Sequence, residues 1–111
     1  MYATAWHNGG APREPAGYGL KFLDRDRDAV FDREWTEIVL DCEGGPKDVT
    51  LPLSASFWRS CTELRSAAIG SWLMEADVAP WVRGSPPGVV VTAVDGNRFS
   101  ARILKRRTLG S

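Results

Sequence analysis

The sequence predicts an α+β fold: a curved, mostly antiparallel sheet or partly open barrel of about five strands, one long helix near residues 56–77 and one short helix near 25–33. Three observations predict it. Short segments that alternate apolar and polar residues lie between Gly/Pro turns, which is the strand signature. The tryptophan-rich stretch from Phe57 to Trp81 repeats its apolar residues at helical spacing. A chain of 111 residues can close one core without metal or disulfide support.

Residues 1–17 carry Gly9, Gly10, Pro12, Pro15 and Gly17 and read as an extended arm. Trp6 is out of place in a mobile arm, so Tyr2–Trp6 is expected to pack on the domain as an edge strand. Tyr18–Phe22 alternates as a short strand. Asp24 then reads as the N-cap of a helix over Arg25–Arg33, with Val30 and Phe31 inward. Trp35–Cys42 is a strand with Ile38, Leu40 and Cys42 on one face. After the turn at Glu43–Lys47, Asp48–Leu53 returns with Val49, Leu51 and Leu53 inward, and Pro52 marks it as an edge or an end.

On the long helix, Cys61, Leu64, Ala68, Ile69, Trp72, Leu73 and Ala76 share one arc. Ser60–Glu63 fits a capping box, so this helix is expected to break and restart near Ser60. Pro80, Gly84, Pro86, Pro87 and Gly88 form a rigid connector. Val89–Val94 and Arg98–Leu104 then form a hairpin about Asp95-Gly96-Asn97. The domain is read as 18–104, with 105–111 a basic tail. The expected core is Phe22, Phe31, Trp35, Ile38, Leu40, Val49, Leu51, Phe57, Leu64, Ile69, Trp72, Val91 and Phe99.

The formal net charge is zero, which excludes bulk attraction to nucleic acid or membrane. The distribution is uneven: residues 1–55 hold ten acids and six bases, residues 56–111 four acids and eight bases. No apolar run is long enough to span a membrane and no signal pattern opens the chain, so a cytoplasmic protein is expected. Cys42 and Cys61 both read as buried thiols.

Candidate chemistry is sparse. Asp24, Asp26 and Asp28 are spaced like the start of a calcium loop, but Ala29 and Trp35 stand where that loop needs Gly and Glu. The single histidine, His7, lies in the Gly-rich arm, far in sequence from either cysteine. No phosphate loop, zinc spacing or catalytic set is recognisable, so no enzyme, cofactor or metal is expected. Arg65 falls on the apolar arc of the long helix, where an unpaired charge is expensive. It reads either as structural, pairing with Glu37 or Asp41 or stacking on Trp58 or Trp72, or as an anion-facing residue at an aromatic cleft. Arg98, Arg102, Lys105, Arg106 and Arg107 make an acid-free C-terminal run, either a phosphate-tracking face or a solvated strand and tail.

The stretches Thr4-Ala-Trp-His-Asn-Gly9, Gly17-Tyr-Gly-Leu20, Asp26-Arg-Asp28, Ser56-Phe-Trp58, Cys61-Thr-Glu-Leu-Arg65, Ile69-Gly-Ser-Trp-Leu73, Ala79-Pro-Trp81 and Asn97-Arg-Phe99 resemble a family of small uncharacterised prokaryotic proteins. The likeness covers most of the chain and brings no activity with it. In that family proline is common where this chain has Thr62, which implies a helix start near that point. The element order is also similar to that of the B3-like DNA-binding pseudobarrel, which implies a basic barrel face that meets DNA.

Two functions follow as expectations. The first is a non-catalytic nucleic-acid-binding module using Arg98, Arg102, Lys105, Arg106 and Arg107, with Arg65 and Arg83 as secondary contacts. The second is a protein-interaction module, an accessory or inhibitor of a mobile element or defence system. Its contacts would be the acidic helix at Asp24 and Asp28 and the aromatics Trp6 and Trp81.

Overall fold

Alternation with period two becomes seven strands in the computed structural model, which describes residues 1–104. They are β1 (Tyr2–His7), β2 (Tyr18–Lys21), β3 (Glu37–Cys42), β4 (Val49–Pro52), β5 (Glu63–Arg65), β6 (Gly88–Asp95) and β7 (Arg98–Leu104). Three α-helices accompany them: α1 (Asp24–Val30), α2 (Ala55–Arg59) and α3 (Ala67–Glu75). One 3-10 turn lies at Pro15–Gly17.

The strands form one sheet in the order β4-β3-β7-β6-β1-β2-β5. Every neighbouring pair is antiparallel except β3 and β7, which run parallel, with Leu40 opposite Phe99 and Cys42 opposite Ala101. The edge strands β4 and β5 touch, so the sheet curls nearly shut. Near-closure shields both edges from pairing with another chain.

The core fills the inside of this curl. Ile38, Leu40 and Cys42, then Val49, Leu51 and Leu53, then Val89 and Val91, then Phe99 and Ala101 all face inward, as the alternation requires. Phe31 is the hub of an aromatic cluster, with Phe22, Phe57 and Phe99 at centroid distances of 5.5, 5.4 and 5.4 Å. Side chains of this size are worth about 1.5–3 kcal/mol each when fully buried. All of the expected core is buried except Trp35, which is half-buried against Phe31 and Phe99.

The structure corrects several expectations. The sheet has seven strands rather than about five. The segment read as an arm is part of the sheet, with β1 between β2 and β6 instead of at an edge. It alternates Ala3 and Ala5 inward with Tyr2, Thr4 and Trp6 outward. The short helix is α1, ending at Val30; Leu23 is its N-cap and Asp24 its first residue. Val30 is exposed, while Phe31, just past the end, turns inward.

The long helix does not form. α2 ends at Ser60 and α3 starts after Ser66, and between them β5 pairs with β2. The physical reason lies in the serines, which compete with helical backbone bonding and favour caps. The hydroxyl of Ser54 accepts from the Phe57 N–H at 3.3 Å and that of Ser66 from the Ala68 N–H at 3.2 Å. Leu64 satisfied the helical arc by coincidence: it is the buried middle residue of a three-residue strand. Cys61 is consequently exposed instead of buried, and so is Arg65.

Among the described residues the buried arginine is Arg27, on the acidic helix α1. It is 6% exposed, and its Nη1 donates to the Phe57 carbonyl at 2.8 Å. That carbonyl lies in the last turn of α2, where helix acceptors lack internal partners. Docking of α3 depends on a missing side chain. A Cβ at Gly70 would strike the Pro15 backbone carbonyl, so only glycine lets α3 lie on the 3-10 turn. Trp72 on the same helix is buried, with its indole N–H donating to the Glu43 carbonyl at 3.0 Å. Trp58 is half-buried, and the guanidinium over its ring is that of Arg33, at 4.9 Å, not Arg65.

Candidate functional site

Two loops meet beside the start of β6. The first follows β1, where side chains close a tight turn: the Gly9 N–H donates to His7 Nδ1 at 3.2 Å and the Gly10 N–H to Asn8 Oδ1 at 2.9 Å. The Asn8 N–H reaches the Gly17 carbonyl at 3.0 Å, so the loop returns directly into β2. The Tyr18 hydroxyl, donating to the Pro12 carbonyl at 2.5 Å, fastens its middle.

The second loop is the connector after α3. The Val78 and Ala79 N–H groups both donate to the Leu73 carbonyl, at 3.1 and 3.3 Å, which turns the chain off the helix end. Trp81 then packs edge-on against Tyr18, with ring centroids 5.5 Å apart. The Ser85 N–H closes on the Val82 carbonyl at 2.9 Å, and the connector joins β1 where the Ala5 N–H meets the Pro87 carbonyl at 2.9 Å.

An open groove of about 690 Å³ lies between these loops. It is lined by Ala5, Trp6, His7 and Gly9 from β1 and the loop after it, and by Trp81, Arg83, Gly84 and Pro86 from the connector. Its volume is that of an ordinary ligand site. Trp6 projects from the outer face of β1, and among the described residues it stacks on no other ring. Trp81, in T-shaped contact with Tyr18, is half-buried. Among the described residues, no carboxylate lines this groove. Four other surface cavities each include an acid: Glu43 and Glu75, Glu14, Asp77, or Asp24. Trp81 also lines the cavity with Asp77, and so does Leu104, the last described residue.

The residues singled out in the sequence are therefore sorted by the fold. Trp6, Trp81 and Arg83, which the sequence assigned to two different roles, share one groove. Arg98 is engaged elsewhere. Its Nη1 donates to both oxygens of Asp41, at 2.9 and 2.7 Å, and its Nη2 donates to Asp48 at 2.6 Å. The Asp48 N–H and the Arg98 guanidinium hold the Asp41 carboxyl below the usual carboxylate range, and the same ion pairs raise Arg98. This cluster clamps the parallel seam between β3 and β7 from outside and leaves Arg98 little free charge.

Arg102 is exposed and lines the cavity with Glu43 and Glu75. Arg65 is exposed on β5, with three strands between it and β7, and lines a separate cavity with Asn8 and Glu14. Neither joins the groove. Asp24 and Asp28 are exposed on α1, and Asp28 is paired with Arg27 at 3.0 Å and Arg33 at 3.2 Å. The Arg27 hydrogen bond draws the Asp28 carboxyl down. Lys105, Arg106 and Arg107 lie outside the described residues.

The fold does not bring His7 and Cys42 together. Two strands separate β1, which bears His7, from β3, which bears Cys42, and burial pushes the Cys42 thiol up to about 12. Among the described residues, no group of three or more metal-binding side chains is found. No helix among them is long and apolar enough to cross a membrane.

Sequence reasoning missed His7 and Pro86 as groove walls, and it missed Arg27 as the buried cation. The signal for the groove was present as two tryptophan-bearing, Gly/Pro-punctuated segments, but nothing local says that they meet. Comparison with protein-family models, curated proteins and solved structures returns no match.

Proposed function

We propose that this protein is a non-catalytic module that binds nucleic acid along the groove of Trp6, Trp81 and Arg83, with the C-terminal bases Lys105, Arg106 and Arg107 contacting phosphates. The observation that carries this reading is the composition of that groove: two tryptophans and an arginine on open walls, without a carboxylate. Aromatic faces combined with cations are the usual means of holding nucleic-acid strands. Phosphates are repelled from cavities lined by acids, which sets this groove apart from the other four. The chain reaches its basic run just after Leu104, which lines the cavity that shares Trp81. The likeness of element order to the B3-like pseudobarrel points the same way, at the level of fold alone.

The reading differs from the one drawn from charge along the sequence. Arg98 leaves the binding set because Asp41 and Asp48 already occupy it. Arg102 and Arg65 leave it because each lies at a cavity that carries acid.

The test is the salt dependence of binding to single-stranded oligonucleotides and to duplex. If Arg83, Lys105, Arg106 and Arg107 each neutralise one phosphate of a single strand, the log–log slope is about −3. Affinity then falls about fiftyfold between 50 and 200 mM salt. Arg83→Ala flattens the slope by about 0.7, whereas Arg98→Ala leaves it unchanged. Absence of salt-sensitive binding to either form at low ionic strength overturns the reading.

A further inference from the structure

Resting on that reading, we infer that the groove is a base-stacking subsite for single-stranded nucleic acid, with unpaired bases packed on the Trp6 and Trp81 rings and Arg83 on the adjoining phosphate. A duplex offers its backbone and groove edges and keeps its base faces stacked; only an unpaired strand can present a face to an indole. The protein side is built for faces. Among the described residues Trp6, on the outer side of β1, stacks on no other ring, and Pro86 adds apolar surface to the same groove. Gly9 and Gly84 contribute no side chain to the walls, and space is empty where a Cβ would project from either. The groove therefore stays open enough to admit a planar ring.

Trp81 is pre-positioned by its T-shaped contact with buried Tyr18, whose hydroxyl is tied to Pro12. A ring held in this way loses little freedom on binding, which favours affinity. Trp6 is fixed by the strand that carries it, paired with Gly19 of β2. Among the described residues Arg83 supplies the cation of the groove lining, beside rings that read no particular base edge. The predicted preference is consequently for single strands over duplex, with little discrimination among sequences.

The experiment compares three probes: a thymidine oligomer of about twelve nucleotides, the same backbone with abasic sites throughout, which carries the same charge, and a duplex with an equal number of phosphates on each strand. Binding is followed by fluorescence anisotropy of an end label, with quenching of tryptophan emission as the second readout. The thymidine oligomer is expected to bind about tenfold to hundredfold more tightly than the abasic one and to quench emission, which the abasic oligomer does not. Trp6→Ala removes most of that advantage and leaves the salt slope intact. Trp6→Phe keeps a large part of it. Trp6 is chosen because it projects outward from the strand, so its replacement spares the core; circular dichroism melting of each variant verifies that the fold is retained.

Equal affinity for the thymidine and abasic oligomers, with a normal salt slope, overturns the stacking subsite and leaves electrostatic binding standing. Equal or tighter binding of duplex also overturns it. Failure of every probe to bind at low salt overturns both this inference and the reading beneath it.

Discussion

Replacing Arg27 by methionine tests whether its buried guanidinium stabilises this fold. The side chain is 6% exposed and its Nη1 donates to the Phe57 carbonyl at 2.8 Å, a buried hydrogen bond from a charged donor. Such bonds contribute about 1.5–3 kcal/mol net, and the loss is felt in full when the acceptor stays buried without a partner. Phe57 is itself 1% exposed, in the middle of a helix of five residues, so water has no easy route to that carbonyl. Methionine restores the apolar stem and confines the change to the polar head. The expected loss is about 2–3 kcal/mol, or roughly 10 °C in Tm for a chain of this size. Urea denaturation with an unchanged m value, together with calorimetry, measures it. Asp28→Asn is the internal control, since it removes the exposed partners of Arg27 and Arg33 and leaves the carbonyl contact in place. Its effect is expected to be much smaller, as for most exposed ion pairs. If Arg27→Met costs less than about 0.5 kcal/mol, or if Asp28→Asn costs as much, the carbonyl contact is not what Arg27 contributes.

Two further predictions concern titration and thiol access. Asp41 has a lowered native value because the Asp48 N–H and Arg98 bind its charged form. Its contribution is therefore complete above the unfolded value of about 3.9 and is lost as pH falls through the native one. Asp41→Asn should lower stability near neutrality, and the gap to wild type should close in acid; a gap that widens below pH 4 contradicts the sign. Cys61 should react with a thiol reagent in the native state, while Cys42, fully buried with its thiol pushed up to about 12, should react only on unfolding. Native labelling of both at similar rates would mean that β3 is not in the interior.

The strands with strict alternation were legible from sequence because each has one buried face and one solvated face. β3, β4, β6 and β7 carry the inward sets Ile38/Leu40/Cys42, Val49/Leu51/Leu53, Val89/Val91 and Phe99/Ala101 that the pattern implies. The segment 60–66 was misread because apolar spacing in so short a stretch fits a strand and a helix equally well. Backbone pairing with β2 and the caps at Ser54 and Ser66 decided it. Arg65 was placed on a buried arc and Arg27 was missed for the same reason: the burial of a cation depends on what packs over it, and no local pattern reports that.

The amino-acid sequence by itself determined the α+β fold class and most of the core, because these follow from composition and local period. Tertiary structure alone decided which residues share a site. Trp6 and Arg83 meet only because β1 is inserted between β2 and β6, and because the connector after α3 folds back onto Tyr18. Tertiary structure also decided which charges are free. Asp41 and Asp48 reach Arg98 through the parallel pairing of β3 with β7, a contact between segments far apart in the chain. Long-range pairing of this kind leaves no mark on local sequence, since each segment would look the same wherever it was placed in the sheet.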